Sequence, residues 1–566
     1  MTGGLGELAE RYFDLVMAAA PFEATVLGVA GFDAEVPDLS EQAEDRQRAA
    51  LAGLQRQLAA IDPATLDGQD RITHAMLGRA LADRQEELEA RWPELTVSAT
   101  MSGVQTAVIA TVPKVTLATA EQASAYLERC GGLDRYLRQA ADRLRAGIDH
   151  GRTPSRRGVL AAMAQLDTYL AGPPDADPLL APGPPAAADP ARWRDRLRQL
   201  VVATVRPAMA AYRTCLEREV LPHARSDHRC GLCHLPDGDT VYRNAARRHT
   251  TTERDLDELH RLGQELVAGL AEEYRALGSR TLGTGDLEEI LGRLRGDPAL
   301  RFRTGAEILQ SARDALERAT AALPGFIGRI PAAPCRVDEM SPYEAKDAVL
   351  GYYQPPSDDG RRPGIHWLNT HAPETRTRYE YEALAFHESV PGHHVQFALA
   401  QELRELPRFR RLGYVTAFSE GWALYTERLA DEMGLYSGDL ARLGMLSFDS
   451  WRACRLVVDT GIHHLSWSRA RAIDYLLANS ALTRGNVENE VDRYIADPGQ
   501  ALAYMVGRIE LERLRARARQ RLGGRFDIKD FHDAVLGTGG VTLSVLDEEL
   551  DRWVAGVAGG PPQARW

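Results

Sequence analysis

The sequence is poor in the features that mark membrane-spanning, secreted and disulfide-stabilised proteins. No stretch approaches 18 consecutive apolar residues, and no basic segment followed by an apolar one stands at the N-terminus, so we expect neither a transmembrane helix nor a secretory signal. Six cysteines are spread over 566 residues, which favours reduced thiols over a disulfide framework. These absences predict a cytoplasmic protein with no membrane partner.

Basic residues are fewer than acidic residues in this sequence. Lys and Arg together number 68 against 80 Asp and Glu, so the formal net charge is −12. Binding to a nucleic-acid backbone draws on a surplus of basic residues, and we therefore expect no nucleic-acid partner. What the sequence does have is an abundance of good helix formers, which predicts a mainly α-helical protein.

Apolar periodicity and the placement of proline and glycine divide the chain into two predicted lobes. Residues 1–330 are dominated by helical periods and are interpreted as an N-terminal scaffold lobe. Residues 331–558 begin with a segment rich in proline, glycine and aromatic residues and are interpreted as a zinc-binding catalytic lobe. Within this lobe, residues 365–370 predict a short β-strand beside a helix. Residues 559–566 are predicted to form a flexible tail.

Three segments of the scaffold lobe depart from the helical pattern. The proline-rich run 172–190 is interpreted as a surface loop and as the best candidate for disorder, because proline lacks an amide donor and clashes with the preceding helical turn. The β-branched segment 101–116 contains Pro113 and predicts an extended crossing. Cys230 to His234 spell C-x-x-C-H, a haem-attachment signature, but without an export signal or a second cysteine pair we interpret the motif as a solvent-side turn.

Histidine and carboxylate are concentrated in the stretch F-H-E-S-V-P-G-H-H, which begins at Phe386. Imidazole and carboxylate groups at close spacing are what a Zn²⁺ site with an attached general base requires, and the residues from Tyr379 onwards predict a helix. On that helix His387 and Glu388 can share the inward side. The familiar H-E-x-x-H spacing is absent, because Pro391 stands where the second histidine would be.

Pro391 and Gly392 predict a break in this helix. On a straight helix, His393 would lie about 9 Å further along the axis than His387 and about 240° around it, too far to share an ion. Proline removes an amide donor and collides with the carbonyl group four residues back, while glycine permits unusual dihedral angles. We therefore expect a kink that brings His393 or His394 towards His387, and the spacing alone does not choose between them.

Two ligands do not hold a catalytic zinc ion, so a third ligand is expected downstream. The segment from Phe418 places Glu420 and Glu427 on one helix face. We interpret Glu420 as the third ligand and Glu427 as the residue that orients a ligating histidine through its free N–H group. This set leaves a fourth coordination position for water, with Glu388 near enough to accept its proton.

Four motifs carry a resemblance to a known family. They are H-E-x-x-P-G-H-H from His387, E-G-W-A-L-Y-x-E from Glu420, V-D-T-G-I-H from Val458 and A-Y-M-V-G from Ala503. In this combination the sequence resembles the DUF885 family, which is grouped with helical, gluzincin-like zinc metallopeptidases. The resemblance implies a large, mainly helical, metallopeptidase-like fold around a single cleft, with one Zn²⁺ per chain.

The resemblance also implies roles for individual residues. It favours His393 as the second histidine ligand, with His394 and Asp459 as alternative or supporting groups. His463 and Tyr504 are expected to donate to the oxyanion of a tetrahedral intermediate, because an imidazole and a phenol can both donate hydrogen bonds to developing charge. The alternative for His463 is a core histidine hydrogen-bonded to Asp459, and the alternative for Tyr504 is packing alone.

Three residues are assigned to substrate binding. Tyr353 and Asn369 belong to the segments over which the resemblance extends. Arg508 lies one helical turn after Tyr504, where its planar fork would match a substrate carboxylate.

Taken together, these patterns predict a zinc-dependent hydrolase that cleaves a peptide or compact amide bond, with Glu388 as the general base. The expected partner is a small peptide or amide substrate, and the sequence indicates no oligomeric state. One alternative is a biosynthetic or degradative zinc enzyme that acts on a non-peptide amide or a related bond. A second alternative is a catalytically silent protein that binds metal or peptide.

Overall fold

The structure is a computed structural model that describes residues 3–100, 102–340, 349–357 and 362–559. Helices form most of these residues, and a three-stranded sheet accompanies them. The prediction of a mainly helical protein with a small β element is therefore confirmed. Of the predicted tail 559–566, the structure describes Gly559, which ends the last helix, and the other residues of the tail lie outside the described part of the chain.

Nine helices precede residue 220 in the described part of the chain. Their bounds are α1 Gly3–Ala19, α2 Pro21–Val26, α3 Glu41–Ala59, α4 Gly68–Glu89, α5 Val104–Thr106, α6 Ala120–Asp149, α7 Arg156–Ala171, α8 Pro190–Leu200 and α9 Arg206–Cys215. The long helix α6 begins with a capping box, in which Thr119 and Gln122 each accept a hydrogen bond from the other's backbone amide. This pair satisfies two donors that the first turn of a helix leaves without partners.

The remaining helices surround the motifs of the C-terminal half. Their bounds are α10 Gly238–Thr250, α11 Leu256–Thr281, α12 Leu287–Gly296, α13 Gly305–Ala322, α14 Tyr381–Glu388, α15 His393–Glu402, α16 Arg408–Arg411, α17 Thr416–Glu432, α18 Asp439–His463, α19 Arg469–Asn479, α20 Arg484–Ala496, α21 Ala503–Leu522, α22 Ile528–Leu536 and α23 Leu543–Gly559. None of the helices in the described ranges has the length and apolar character that crossing a bilayer requires.

The sheet lies directly before α14. Its strands are β1 Cys335–Glu339, β2 Gly351–Gln354 and β3 Gly364–Leu368, in the order β1-β3-β2. Strand β3 is central, parallel to β1 and antiparallel to β2, with Tyr353 opposite His366. The strand predicted within residues 365–370 is confirmed over most of its length. Its nearly continuous burial is typical of a strand paired on both edges.

Two glycines let α17 and α21 cross at close range. A Cβ atom at Gly421 would lie 2.5 Å from the Cα atom of Gly507, and one at Gly507 would lie 1.9 Å from the carbonyl oxygen of Ala417. Neither position therefore accepts a side chain without moving a backbone. The crossing sets Glu420 on α17 against the helix that carries Tyr504.

The largest apolar core contains residues from both sides of position 330. It includes Tyr274 of α11, Phe386 of α14 and Trp422 of α17, all nearly or fully buried. A second apolar core lies wholly within residues 22–220. The division into a scaffold lobe and a catalytic lobe at residue 330 stays a prediction.

The proline-rich run 172–190 connects α7 to α8 as a loop. It contains three short 3₁₀ turns, and the side chains of Asp177 and Leu179 are buried. Tyr169 Oη donates to the Asp177 carboxylate at 2.6 Å, and Tyr126 Oη donates to the Leu179 carbonyl oxygen at 3.0 Å. The prolines exclude an α-helix as expected, and these buried contacts join the loop to the helices beside it; its disorder stays a prediction.

The extended crossing predicted over 101–116 is wrong for residues 104–111. Residues Val104–Thr106 are α-helical and Ala107–Thr111 continue as a π-helical turn. Val108 and Val112 are buried in the second core, so their packing outweighs the weak preference of β-branched residues for strands. Pro113 stands just beyond the helical residues, where its missing amide costs no hydrogen bond.

Candidate metal centre

The helix break predicted at Pro391 and Gly392 is present, because α14 ends before this dipeptide and α15 begins directly after it. A Cβ atom at Gly392 would lie 1.9 Å from the carbonyl oxygen of His387, so the position accepts no side chain. Trp422 Nε1 donates to the carbonyl oxygens of Pro391 at 3.1 Å and Gly392 at 3.3 Å. These contacts fix the turn on which the second histidine depends.

The break brings His387 and His393 to the carboxylate of Glu420. Glu420 Oε2 lies 3.5 Å from His387 Nε2 and 3.6 Å from His393 Nε2. The imidazole rings are nearly perpendicular, with their centroids 4.9 Å apart. One ligand atom from each of the three residues lies within 4.8 Å of the other two, and all three residues are buried.

The spacing and chemistry of these atoms fit a zinc ion. Tetrahedral coordination with bonds of about 2.1 Å separates neighbouring ligand atoms by about 3.4 Å, close to both measured distances. Two imidazoles and one carboxylate form a donor set that zinc uses in catalytic sites. Burial opposes a charge on His387, yet its hydrogen bonds with Glu420 and Glu427 raise its pKa to about 9, so the pocket favours positive charge at this ring.

Two residues outside the set orient its members. His387 Nδ1 donates to Glu427 Oε1 at 2.8 Å, which leaves Nε2 facing the centre, as expected for Glu427 from the sequence. Tyr414 Oη donates to Glu420 Oε1 at 2.5 Å, which leaves Oε2 facing the two histidines. Sequence reasoning missed Tyr414, because it stands in the short connection between α16 and α17 and belongs to no motif.

Glu388 follows His387 at the end of α14 and is partly exposed, whereas the three metal-ligand candidates are buried. Burial raises the pKa of the Glu388 carboxyl, and the nearby His387 and His393 oppose that rise. Its carboxyl group therefore lies within the electrostatic reach of both histidines, which is where a general base for an attacking water would stand.

Comparison with known proteins places the chain in a family. The family model described as "Bacterial protein of unknown function (DUF885)" matches residues 21–550. The chain belongs to the DUF885 family. Curated proteins provide no match.

Two solved structures share the fold of this DUF885 chain. A candidate lipoprotein from Colwellia psychrerythraea has 24% sequence identity and a TM-score of 0.88, over 98% of this chain and 100% of that one. A candidate lipoprotein of unknown function from Shewanella oneidensis has 16% identity and a TM-score of 0.77, over 96% of this chain and 99% of that one. At these identities the likeness concerns the fold alone.

His394, the alternative ligand, is engaged away from the centre. Its Nδ1 accepts a hydrogen bond from Tyr353 Oη at 2.9 Å, and its Nε2 donates to the Ala333 carbonyl oxygen at 3.0 Å. Burial lowers the pKa of His394 to about 4, so the ring is neutral and has no lone pair left for an ion. The geometry favours His393. Tyr353 uses its hydroxyl group in this contact and stacks on Phe397, with ring centroids 6.2 Å apart.

Tyr504 approaches the same centre from α21. Burial, together with the Glu420 carboxylate, raises the pKa of its phenol, which therefore keeps its proton at neutral pH. The Arg455 guanidinium lies 4.4 Å from the centroid of the Tyr504 ring and packs against it. A protonated, packed phenol suits the role of hydrogen-bond donor that the sequence assigns to it.

His463, the other expected oxyanion donor, is bonded through both ring nitrogens. Nδ1 accepts from the Leu232 amide at 3.1 Å, and Nε2 donates to the Tyr494 carbonyl oxygen at 3.0 Å. Burial lowers the pKa of His463 to about 3, so the ring stays neutral and has no free N–H group. We therefore correct its assignment: His463 fixes the C-x-x-C-H turn against α18, and Cys230 is buried there rather than turned to solvent.

Asp459 and Arg508 also have partners in the core. Asp459 accepts a hydrogen bond from Tyr242 Oη at 2.5 Å and another from the Gly499 amide at 3.1 Å. Arg508 forms a buried ion pair with Asp449. Because both side chains are bonded to core partners, we correct two assignments: Asp459 is not placed at the metal site, and Arg508 is not placed at the substrate.

Strand β3 and the residue after it contribute two buried polar side chains, His366 and Asn369. Asn369, expected to bind substrate, accepts the His371 amide through Oδ1 at 3.0 Å and shapes the turn after the strand. Neither ring nitrogen of His366 has a hydrogen-bond partner within the described ranges. Burial, assisted by nearby His387, lowers the pKa of His366 to about 3, so this ring is neutral.

Proposed function

We propose that this chain is a zinc-dependent hydrolase with a metallopeptidase-like fold, which cleaves a peptide or compact amide bond. The observation that carries the proposal is the convergence of His387, His393 and Glu420 within 4.8 Å, with Glu388 adjacent in sequence to one of them. The same three residues would hold one Zn²⁺. When bound, zinc supplies Lewis acidity, which polarises a carbonyl group and lowers the pKa of a water molecule.

The surrounding side chains have distinct roles in this proposal. Glu388 accepts a proton from the attacking water and returns it to the leaving amine. Tyr504 donates a hydrogen bond to the oxyanion that develops on the carbonyl oxygen. Glu427 and Tyr414 hold His387 and Glu420 in the required orientation through hydrogen bonds of 2.8 Å and 2.5 Å.

The substitution Glu388→Gln tests the proposal. We expect the variant to retain about one zinc per chain, while its hydrolysis falls by at least about 100-fold because the amide cannot accept the proton. Zinc content is measured by elemental analysis, and hydrolysis by mass spectrometry of a peptide mixture incubated with the protein.

The matched control is Glu405→Gln, which makes the same chemical change at an exposed residue beyond α15. The control should leave hydrolysis unchanged. Full activity in Glu388→Gln would rule out the assigned base, and a lack of any cleavage by the zinc-loaded wild-type protein would rule out peptide hydrolysis.

A further inference from the structure

Arg452 lies in the middle of α18 with 5% of its surface exposed. Its Nε and Nη1 atoms are fully buried without a partner. Other arginines buried to a similar extent are bonded: Arg129 donates to three backbone carbonyl groups and Arg508 pairs with Asp449. Burying a cation without a hydrogen-bonding partner lowers the stability of the folded protein, so an unpaired buried guanidinium group indicates a functional role.

Aromatic rings hold the Arg452 side chain in place. The carbon at the centre of its guanidinium group lies 4.1 Å from the centroid of the Trp451 ring and 4.4 Å from that of Phe448. Contact with a ring face stabilises a cation without using its N–H groups, which lie in the guanidinium plane. The planar guanidinium fork matches the geometry of two parallel hydrogen bonds to an anion.

The guanidinium group borders the candidate metal centre. It lies 6.0 Å from the centroid of the Tyr504 ring, which is the expected oxyanion donor. Burial lowers the pKa of Arg452, and the carboxylates of Glu427 and Glu420 oppose that effect, so both carboxylates are neighbours although neither is within ion-pair distance. The Arg452 guanidinium group therefore lies beside the candidate metal centre, next to Tyr504.

We propose that Arg452 binds a carboxylate group of the substrate, so that the substrate class is peptides or amides with a free carboxylate close to the cleaved bond. A single planar guanidinium matches a planar, singly charged carboxylate, and the nearby carboxylates of Glu427 and Glu420 disfavour a more highly charged anion. The identity of the cleaved bond in this inference rests on the proposed hydrolytic function. The binding of a carboxylate can be measured without cleavage.

The test uses the zinc-loaded Glu388→Gln protein, which is expected to bind substrate without turnover. A library of N-acetyl dipeptides is presented in equal amounts as free acids and as C-terminal amides, and the bound fraction is quantified by mass spectrometry. We expect the acids to be preferred by at least about tenfold, as for a hydrogen bond to a charged group. Adding Arg452→Gln should bring the ratio close to one, and Arg452→Lys should give an intermediate value.

The control is Arg129→Gln in the same background, which removes an equally buried arginine from α6 and should leave the ratio unchanged. The inference is overturned if the protein with Arg452 intact binds acids and amides equally, or binds neither. This outcome does not depend on whether Arg452→Gln folds. An unchanged preference in Arg452→Gln also overturns it. If the acids are preferred but the zinc-loaded wild-type protein cleaves no peptide, the hydrolase proposal fails and the carboxylate site stands.

Discussion

At the scale of single residues, the chemistry of the centre depends on which histidine nitrogens are already bonded. His394 uses both nitrogens in hydrogen bonds to Tyr353 and Ala333, whereas His393 Nε2 faces Glu420. Adjacent histidines with almost the same local sequence thus have different roles. Sequence spacing alone does not distinguish them, because the hydrogen-bond partners of His394 are Tyr353 and Ala333, which lie 41 and 61 residues away along the chain.

This difference predicts opposite results for two alanine variants. His393→Ala should lose zinc, because it removes one of three ligands, and His394→Ala should retain about one zinc per chain although its stability falls. Elemental analysis of both purified proteins, with circular dichroism to verify folding, provides the measurement. Zinc loss in His394→Ala with retention in His393→Ala would reverse the assignment.

Asp459 is expected to make stability depend on pH. Burial raises its pKa to about 7, so in the folded protein it holds a proton over a range where the unfolded chain, with a pKa of about 4, does not. Its contribution to stability is therefore present below about pH 4 and is lost as the pH rises through about 7.

Asp459→Asn should remove this dependence, since the amide has no proton to lose in that range and its oxygen can still accept from Tyr242 and Gly499. Between about pH 5 and about pH 8 the Tm of the variant should therefore rise relative to that of the wild-type protein. Thermal melts across this range provide the measurement. A difference in Tm that does not change with pH would contradict the assignment of Asp459.

Residue roles were predictable where local chemistry decides them. Glu427 lies one heptad from Glu420 on the same helix, and its contact with His387 follows from that helix geometry. His463 and Arg508 were assigned from motifs and from one-turn spacing, but their partners, Leu232 and Asp449, come from elements that no local pattern connects to them.

At the scale of elements, the centre is built by helix ends and close crossings. The end of α14, the start of α15 and the second turn of α17 each contribute one ligand candidate. The break between α14 and α15 was predictable because proline and glycine have strong, local backbone effects. The helical state of residues 104–111 was not, because its cause is the burial of valines in a core formed by distant helices.

Gly392→Ala should disrupt the centre. The added Cβ atom would lie 1.9 Å from the His387 carbonyl oxygen and 2.4 Å from that of Phe386, so the turn must move and His393 moves with it. We expect a loss of at least about 2 kcal/mol in the free energy of unfolding, as for an overpacked core, together with loss of zinc. Chemical denaturation and elemental analysis provide the measurements.

The control for this variant is Gly292→Ala in α12, where a Cβ atom would meet nothing within 4 Å. A helical glycine in open space should gain up to about 1 kcal/mol on replacement by alanine. A Gly392→Ala protein as stable as this control, with its zinc intact, would contradict the role assigned to the break.

At the scale of the whole molecule, the family and the mainly helical fold were predictable, since motifs and helix-forming composition are properties of the sequence itself. Packing is not, and the largest core joins residues on both sides of the predicted lobe boundary. The cytoplasmic location stays a prediction, and both similar structures are described as candidate lipoproteins.

Zinc should stabilise the entire chain, because its three ligands join segments that pack into the largest core. An ion that binds only the folded state at 100 times its Kd contributes about 2.7 kcal/mol. We expect the Tm to fall on dialysis against a chelator and to recover when zinc is returned. The His393→Ala protein, which lacks a ligand, should show no such shift, and an equal shift in both proteins would place the stabilising ion elsewhere.

Anomalous X-ray diffraction at the zinc absorption edge, from crystals of the zinc-loaded wild-type protein, tests the existence of the centre most directly. The proposed coordination predicts one strong anomalous peak about 2.1 Å from His387 Nε2, His393 Nε2 and a Glu420 carboxylate oxygen. No peak between these three atoms, or a peak coordinated by other residues, would contradict it.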